Sequence, residues 1–275
     1  MQIEGWRYYN HAAIPTTPIH EDPNMQPIED GSIWKLDGSP LLARWITEFD
    51  CGYETGWWYV IKRAPFELEG LEAKARKHIR QALKKVVVKN IDMDSYVEEL
   101  ISVHNAASSK YSGPAATPVT SSEFANRNDP SLDCWGAFDA ETERMIGYMT
   151  CRRKVGFVET VAAKYDPQYL NLRASDAIHF TVLDYYLNQE NFAYVSSGNR
   201  NINHITNAQE YKIATFGFTK AYCKLHTAYQ PKIKWVIKML YPIRKILLPF
   251  DRIGVVHLMN SVFKMEEICR GEDAL

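Results

Sequence analysis

One carboxylate, Glu159, stands in a stretch of apolar and hydroxyl-bearing residues. Residues 155–161 predict a β-strand in which Glu159 alternates with Val158 and Thr160. A carboxylate among apolar neighbours at the wall of a cleft can take a proton from an amine, directly or through water. A glutamate at a sheet edge or in an ion pair gives the same pattern. Glu159 is therefore a candidate general base, and the ion pair is the alternative.

The histidines and cysteines suggest no second reactive site. His104 ends a predicted helix, where the helix dipole also favours a histidine. His179 and His204 have no partner at a spacing typical of metal ligands. The five cysteines form no CxxC pair, and an odd number does not suit a disulfide framework. The chain also starts without a signal-peptide pattern. We expect no metal, reduced thiols and a cytoplasmic or peripherally membrane-attached protein.

Residues 1–92 are interpreted as an N-terminal extension. Four prolines in the first 27 residues indicate an extended arm, which short strands follow. Residues 57–61 are aromatic and β-branched and predict a strand. Residues 68–85 have helical spacing, with lysine and arginine on the face opposite the apolar one. Such a face is more often solvated than bound to a phosphate or polyanion, and both interpretations stay open.

Residues 93–231 alternate between helix and strand patterns. Helical spacing covers 93–104, 174–187 and 203–214, and strand patterns cover 134–139, 144–150, 155–161, 192–196 and 220–226. A polar segment, 105–133, is expected to shape a substrate site, with a short helix near 121–126. This order predicts an α/β domain with a mixed central sheet flanked by helices.

Short motifs in this region match a known superfamily in their order. The hairpin contains Ile146-Gly147-Tyr148, the next strand leads to Asp166-Pro167-Gln168-Tyr169, and Phe216-Gly217-Phe218 precedes the last strand. In these features residues 93–228 resemble the Gcn5-related N-acetyltransferase (GNAT) superfamily. Residues 76–82 and Glu210-Tyr211-Lys212 make it similar to the FemAB-like branch. The resemblance implies a GNAT-like acyl-CoA N-acyltransferase fold, with residues 1–92 as a degenerate GNAT half.

The resemblance also implies where the donor is held. GNAT enzymes bind the coenzyme A pyrophosphate with a loop of pattern Arg/Gln-x-x-Gly-x-Gly/Ala, because backbone N–H groups at a helix start bind phosphate. Here the corresponding residues are 170–175, and Arg173 and Ser175 replace the two glycines. Side-chain donors at this helix start are an alternative means of binding. The implied cofactor-binding residues are Asn171, Arg173, Ala174 and Ser175. Plain helix capping, with a solvated Arg173, explains the same residues.

A general acid is implied in the same way at Tyr211. GNAT enzymes often place a tyrosine acid in this region, where it protonates the leaving thiolate. The distance in sequence from Tyr211 to Gly217 is longer than the usual pattern. A tyrosine that packs in the core is the alternative.

Residues 232–275 are interpreted as a C-terminal tail of amphipathic helices. Residues 232–248 have apolar side chains on one side and lysine and arginine around them, with Pro242 as an interruption. A basic amphipathic segment of this kind can lie on an anionic membrane. Packing of this helix and a second helix, 255–268, on the catalytic half is the preferred interpretation.

Together these features predict an N-acyltransferase that moves an acyl or aminoacyl group from an activated donor to an amine. The expected donor is acetyl-CoA or another acyl-CoA, and aminoacyl-tRNA is less favoured. No DNA partner is expected, since 32 Lys and Arg balance 33 Asp and Glu. A non-catalytic module with the same fold, which binds a ligand or a membrane, is the alternative.

Overall fold

The computed structural model of the chain describes residues 1–109, 118–127, 129–202 and 207–272. The described residues form two compact units. The first takes residues 1–59, 199–202 and 220–272, and the second takes the described residues of 60–198 and 207–219. The tail beyond residue 231 thus belongs to the same unit as the N-terminal arm.

The helices and strands have the following bounds. The strands are β1 (Trp6–Tyr9), β2 (Ala12–Pro15), β3 (Leu42–Thr47), β4 (Trp57–Arg63), β5 (Val86–Ile91), β6 (Leu132–Asp139), β7 (Met145–Lys154), β8 (Phe157–Tyr165), β9 (Tyr194–Asn199) and β10 (Thr219–Tyr229). The helices are α1 (Gln26–Glu29), α2 (Ala73–Ala82), α3 (Val97–Ser108), α4 (Ser121–Arg127), α5 (Ala174–Asp184), α6 (Ala208–Phe216), α7 (Pro231–Leu240), α8 (Arg244–Leu247) and α9 (Gly254–Arg270). None of the helices in the described parts of the chain is long and apolar enough to cross a bilayer.

The first unit contains a mixed sheet in the order β1-β2-β3-β10. Strands β2 and β3 are parallel, and the other neighbours are antiparallel. Because side chains alternate between the faces of a sheet, Ala12 and Leu42 lie on one face and Ala13 and Ala43 on the other. Helix α9 covers the first face, where Met265 and Ile268 are buried, and Ile33 and Leu36 cover the second.

The arm at the start of the chain is a hairpin rather than an extended segment. Strands β1 and β2 are joined by Asn10 and His11, which both have positive φ, at 45° and 63°. A two-residue turn with this conformation matches the twist of the paired strands, and asparagine enters it more readily than most residues. Trp6 is buried and supplies the apolar contact that an isolated hairpin lacks.

The second unit contains a five-stranded mixed sheet in the order β9-β8-β7-β6-β5. Strands β8 and β9 are parallel, and the other neighbours are antiparallel. Helix α3 packs on one face, where Leu100 and Val103 contact the cluster that includes Phe138 and Tyr148. Helix α5 and the π-helical turn after it lie on the other face, where Trp135 contacts Tyr186.

The predicted mixed α/β architecture is confirmed at the level of element order. The hairpin of β6 and β7, the strand β8 and the helix α5 follow the predicted sequence of elements, and α4 occupies the predicted short helix. Strand β8 runs to Tyr165, four residues beyond the predicted end at 161. Helix α6 begins at Ala208, and residues 203–206 of the predicted helix, with His204, lie outside the described residues. Part of the predicted 105–133 loop, residues 110–117 and 128, lies outside them as well.

The face of the sheet under α5 contains a buried polar contact that tests this packing. The Tyr186 hydroxyl accepts a hydrogen bond from Trp135 Nε1 at 3.1 Å and donates one to Asp133 at 2.5 Å. Tyr186→Phe leaves the buried indole N–H without this partner, so we expect the free energy of unfolding to fall by about 1–3 kcal/mol in urea denaturation. The neighbouring Tyr185 accepts only a 3.4 Å bond from Arg153, so Tyr185→Phe is the control, with a change below about 0.5 kcal/mol. Equal losses in the two variants would contradict this assignment.

Candidate active site

The only parallel strand pair of the second unit's described residues, β8 with β9, separates after three residues of pairing. Phe157 to Glu159 pair with Tyr194 to Ser196, and no further pairs follow toward the carboxyl ends. In the pairing of β8 with β7, Cys151 faces Thr160 and Thr150 faces Ala162, so Val161 is an extra, bulged residue. A bulge redirects a strand, and ligands of open α/β sheets bind at the carboxyl ends of parallel strands. The opening beyond Glu159 and Ser196 is therefore a candidate binding cleft.

Lys212 of α6 extends its side chain to this opening. Its Nζ donates a hydrogen bond to Ser197 Oγ at 2.6 Å and lies 3.4 Å from Thr160 Oγ1. Thr160 Oγ1 in turn donates to the Ser196 carbonyl at 3.2 Å, at the last paired position. Across the described portion of the chain, no carboxylate forms an ion pair with Lys212. Burial lowers the pKa of Lys212 to about 8. The amine thus carries a positive charge at neutral pH, with hydroxyl oxygens as its neighbours.

Helix α5 begins beside this cleft with an unusual residue at its N-cap. Arg173 has φ 60° and ψ 42°, the left-handed region that glycine adopts readily and other residues avoid. Arg173 occupies one of the two positions at which the GNAT loop has glycine. The backbone conformation that favours glycine is present, although the glycine is not.

The first turn of α5 is held by a network of hydrogen bonds and charge. Tyr211 of α6 donates a short hydrogen bond to Asp176, and its hydroxyl lies 3.2 Å from Ser175 Oγ. Arg173 Nη1 lies 3.5 Å from the other oxygen of Asp176, whose side chain is almost fully buried. Burial, together with the Asp176 carboxylate, raises the pKa of Tyr211 well above its usual value. Tyr211 therefore stays protonated and ties α6 to the start of α5.

His179 lies under the same turn and is neutral. Its Nδ1 is 2.8 Å from the Ser175 carbonyl, which requires a proton on Nδ1, and its ring stacks on Phe216. Burial lowers the pKa of His179 to about 3, and the charge on Lys212 acts in the same direction. Its Nε2 is buried and has no hydrogen-bond partner among the described residues. His179 thus supports α5 as an uncharged ring.

The structure brings together three of the six residues predicted to act, namely Arg173, Ser175 and Tyr211. Ala174 is buried at the start of α5, and Asn171 is exposed. Glu159 is at the last paired position of β8, but its side chain contacts other residues: Arg152 Nη1 is 3.7 Å from its carboxylate, and Arg152 also binds Asp129 at 2.9 Å. Since Thr160 faces Lys212, the preceding residue points to the opposite face of the sheet. The roles assigned to these six residues stay predictions.

Lys212, Thr160 and Ser197 were not identified as site residues from the sequence. Helix α6 carries polar residues at several consecutive positions, so its pattern does not indicate which of them points inward. Glu210-Tyr211-Lys212 contributed to the family resemblance, but no role followed for the lysine. The signal for Lys212 was its position next to a candidate tyrosine, and that for Ser197 was the turn Ser196-Ser197-Gly198-Asn199, where a ligand could approach and where a plain loop is equally expected.

Two of the thiols are buried in the sheet of the second unit. Burial raises the pKa of Cys134 to about 12 and that of Cys151 further, so neither thiol ionises at neutral pH. All five cysteines are free thiols. Over the residues that can be described, no group of three His, Cys, Asp or Glu side chains is arranged to hold a metal ion.

Comparison with known proteins gives matches at the level of structure. No protein-family model matches the chain, and no curated protein matches its sequence. The structure of L-PGS from Bacillus licheniformis is similar with a TM-score of 0.52 at 11% identity, covering 86% of this chain and 83% of that chain. The crystal structure of FemX gives 0.56 at 7% identity, with 78% of each chain covered.

A third similar structure is the C-terminal domain of a protein assigned as a lysylphosphatidylglycerol synthetase from Agrobacterium fabrum. Its TM-score is 0.51 at 8% identity, covering 85% of this chain and 82% of that chain. At such identities the likeness establishes the fold alone. The chain shares the mixed α/β fold of FemX and L-PGS, in agreement with the FemAB-like resemblance of its sequence.

Proposed function

We propose that the protein is a transferase that moves an acyl or aminoacyl group from an activated donor to an amine in the cleft at the ends of β8 and β9. The observation that carries this proposal is the partly buried Lys212 ammonium, whose neighbours are the hydroxyls of Ser197 and Thr160. A buried cation without a carboxylate partner is costly to maintain. It is suited to a site that receives negative charge from a ligand or from a reaction.

Acyl transfer creates such a charge. The neutral amine attacks the carbonyl carbon of the donor, and the carbonyl oxygen becomes an oxyanion. When the carbonyl forms again, the thiolate or alkoxide leaves, and the proton of the attacking amine passes through water to this leaving group. A preorganised cation or hydrogen-bond donor directed at the oxyanion lowers this barrier. We assign this role to Lys212, with the Ser197 and Thr160 hydroxyls holding its ammonium in place.

Donor binding is assigned to the start of α5. Acyl-CoA and aminoacyl-tRNA both carry phosphate, and the N–H groups at the start of a helix favour anions. The Arg173 side chain adds a charged donor there, while its contact with Asp176 leaves it partly exposed. Tyr211 and Asp176 position the turn. Support for transfer chemistry comes from the similarity in fold to FemX, to L-PGS and to the domain assigned to a lysylphosphatidylglycerol synthetase.

Glu159 is not part of this proposal, because its carboxylate contacts Arg152 on the other face of the sheet. A non-catalytic binding module is the second candidate function. The observation that favours it is the loss of both loop glycines, at Arg173 and Ser175.

Donor binding is the first measurement. We expect calorimetric titration with acetyl-CoA or with aminoacyl-tRNA to show saturable binding, which Arg173→Ala weakens about tenfold because a charged phosphate contact is lost. Titrations with free coenzyme A and with adenosine show which part of acetyl-CoA contributes to the binding. Only tRNA affinity should fall steeply with salt, since many phosphates are then neutralised. Absence of binding to both donors by folded protein would leave the non-catalytic module.

Replacement of Lys212 tests the observation on which the proposal rests, the ammonium group beside the Ser197 and Thr160 hydroxyls. Lys212→Met keeps the length of the side chain and removes the charge, so transfer to a panel of small amines should slow by about 10²–10³-fold, with a smaller change in donor affinity. The exposed Lys84→Met is the matched control, with an unchanged rate. Unchanged transfer by Lys212→Met would exclude Lys212 from the mechanism.

The pH dependence of Lys212 gives an independent readout of the same variant. The pKa in the folded protein is lowered from 10.5 to about 8, so the unfolded chain binds more protons between these values and the stability contributed by this group rises with pH across that window. Below pH 8 the charged lysine destabilises the fold, and Lys212→Met should raise Tm at neutral pH. The rate advantage of the native protein over the variant should decline above about pH 8, as the ammonium loses its proton.

Two substitutions of Arg173 separate the effect of its left-handed backbone conformation from the effect of its side chain. Arg173→Gly and Arg173→Ala both remove the guanidinium and should weaken donor binding equally. Glycine accommodates φ 60° without the steric cost of a Cβ, so the glycine variant should unfold with a free energy about 1 kcal/mol higher than the alanine variant. Urea denaturation of the two variants measures this difference, and the opposite order would contradict the assigned conformation.

A further inference from the structure

Exposed apolar side chains are concentrated in one short segment of the first unit. Of the nineteen large apolar residues that are exposed in the described parts of the chain, ten lie between Trp235 and Leu258. They are Trp235, Val236, Met239, Ile243, Ile246, Leu248, Phe250, Ile253, Val255 and Leu258, each at least 46% exposed. Single exposed apolar residues are ordinary, whereas a concentration of them marks an interaction site.

The exposure of these residues is built into the way the segment packs. In α7, Ile237 is buried against Phe263 of α9, and Trp235 and Met239 lie two positions to either side, about 160° away around the helix. Arg244 binds Glu267 at 2.6 Å and Glu272 at 3.0 Å, which holds α8 against α9. The inward side of the segment therefore packs against α9, and the apolar residues on its outward side stay exposed.

Positive charge surrounds these side chains. Residues 231–258 contain six lysines and arginines and one acidic residue, Asp251, in a chain whose formal net charge is −1. Five of the six basic side chains are exposed, namely Lys232, Lys234, Lys238, Lys245 and Arg252. Asp251 is engaged by His257 and Asn260. The surface thus combines apolar side chains with a local excess of positive charge.

We propose that this C-terminal surface, the ten exposed apolar residues with these five cations, docks on an anionic lipid bilayer. Apolar side chains enter the boundary between headgroups and acyl chains, and the cations bind the lipid phosphates. A bilayer fits this surface better than a protein does, because protein interfaces are depleted in lysine and four of the five cations are lysines. The proposal does not depend on transferase activity.

Vesicle co-sedimentation of the full chain tests the proposal. We expect binding to vesicles of phosphatidylcholine with about one third phosphatidylglycerol, weaker binding to phosphatidylcholine alone, and a loss of affinity between about 0.1 M and 0.5 M salt. The triple variant Trp235→Gln, Met239→Gln, Ile246→Gln should bind about tenfold more weakly or worse, because buried apolar area is lost. The triple variant Lys234→Gln, Lys238→Gln, Lys245→Gln should lose most of the salt dependence.

A matched control comes from exposed apolar residues elsewhere. Leu83→Gln, Val87→Gln and Val155→Gln, combined in one chain, should bind vesicles as the native protein does. Circular dichroism verifies that each variant is folded. Absence of vesicle binding by the native chain, or equal binding by the apolar triple variant and the control, overturns the proposal. A dimer that the apolar triple variant dissociates in sedimentation, without vesicle binding, would show that a second copy covers the surface instead.

Discussion

The short pairing between β8 and β9 is the constraint on which the candidate site depends. The two strands pair from Phe157 to Glu159 and then part, and the bulge at Val161 redirects β8. A fully paired sheet would close the space that Lys212 reaches between Thr160 and Ser197. The opening that Lys212 reaches thus depends on the early separation of these two strands.

Two features of this site are costly for the stability of the fold. Burial removes solvent from the Lys212 ammonium, which has no carboxylate partner among the described residues, and Arg173 adopts a backbone conformation that its Cβ disfavours. Such costs persist where the surrounding structure enforces them. Here the hydrogen bond from Tyr211 to buried Asp176 joins α6 to α5 and holds both costly residues near the same opening. This combination is what distinguishes the site from an ordinary polar patch.

The first unit carries a separate property. Met265 and Ile268 of α9 cover one face of its sheet. Helix α7 packs against Phe263 of α9, and Arg244 of α8 binds Glu267 of α9. These contacts bury the inward apolar residues of the tail. The remaining apolar and basic residues of the tail form a surface that the first unit leaves exposed.

The sequence by itself determined the mixed α/β class and the order of elements from β6 to α5, because both depend on local periodicity. Its short motifs carried the FemAB-like resemblance. It also singled out Arg173, Ser175 and Tyr211, which mark a helix start and its neighbour. Only the tertiary structure decided that Lys212 belongs with them and that Glu159 faces Arg152, since a one-residue change of position along a strand reverses the face. The bulge at Val161 shifts that alternation, and no periodic pattern encodes it. The sequence also does not show which apolar residues of the amphipathic tail are buried, because this depends on the area available for packing. The contacts among α7, α8 and α9 decide it.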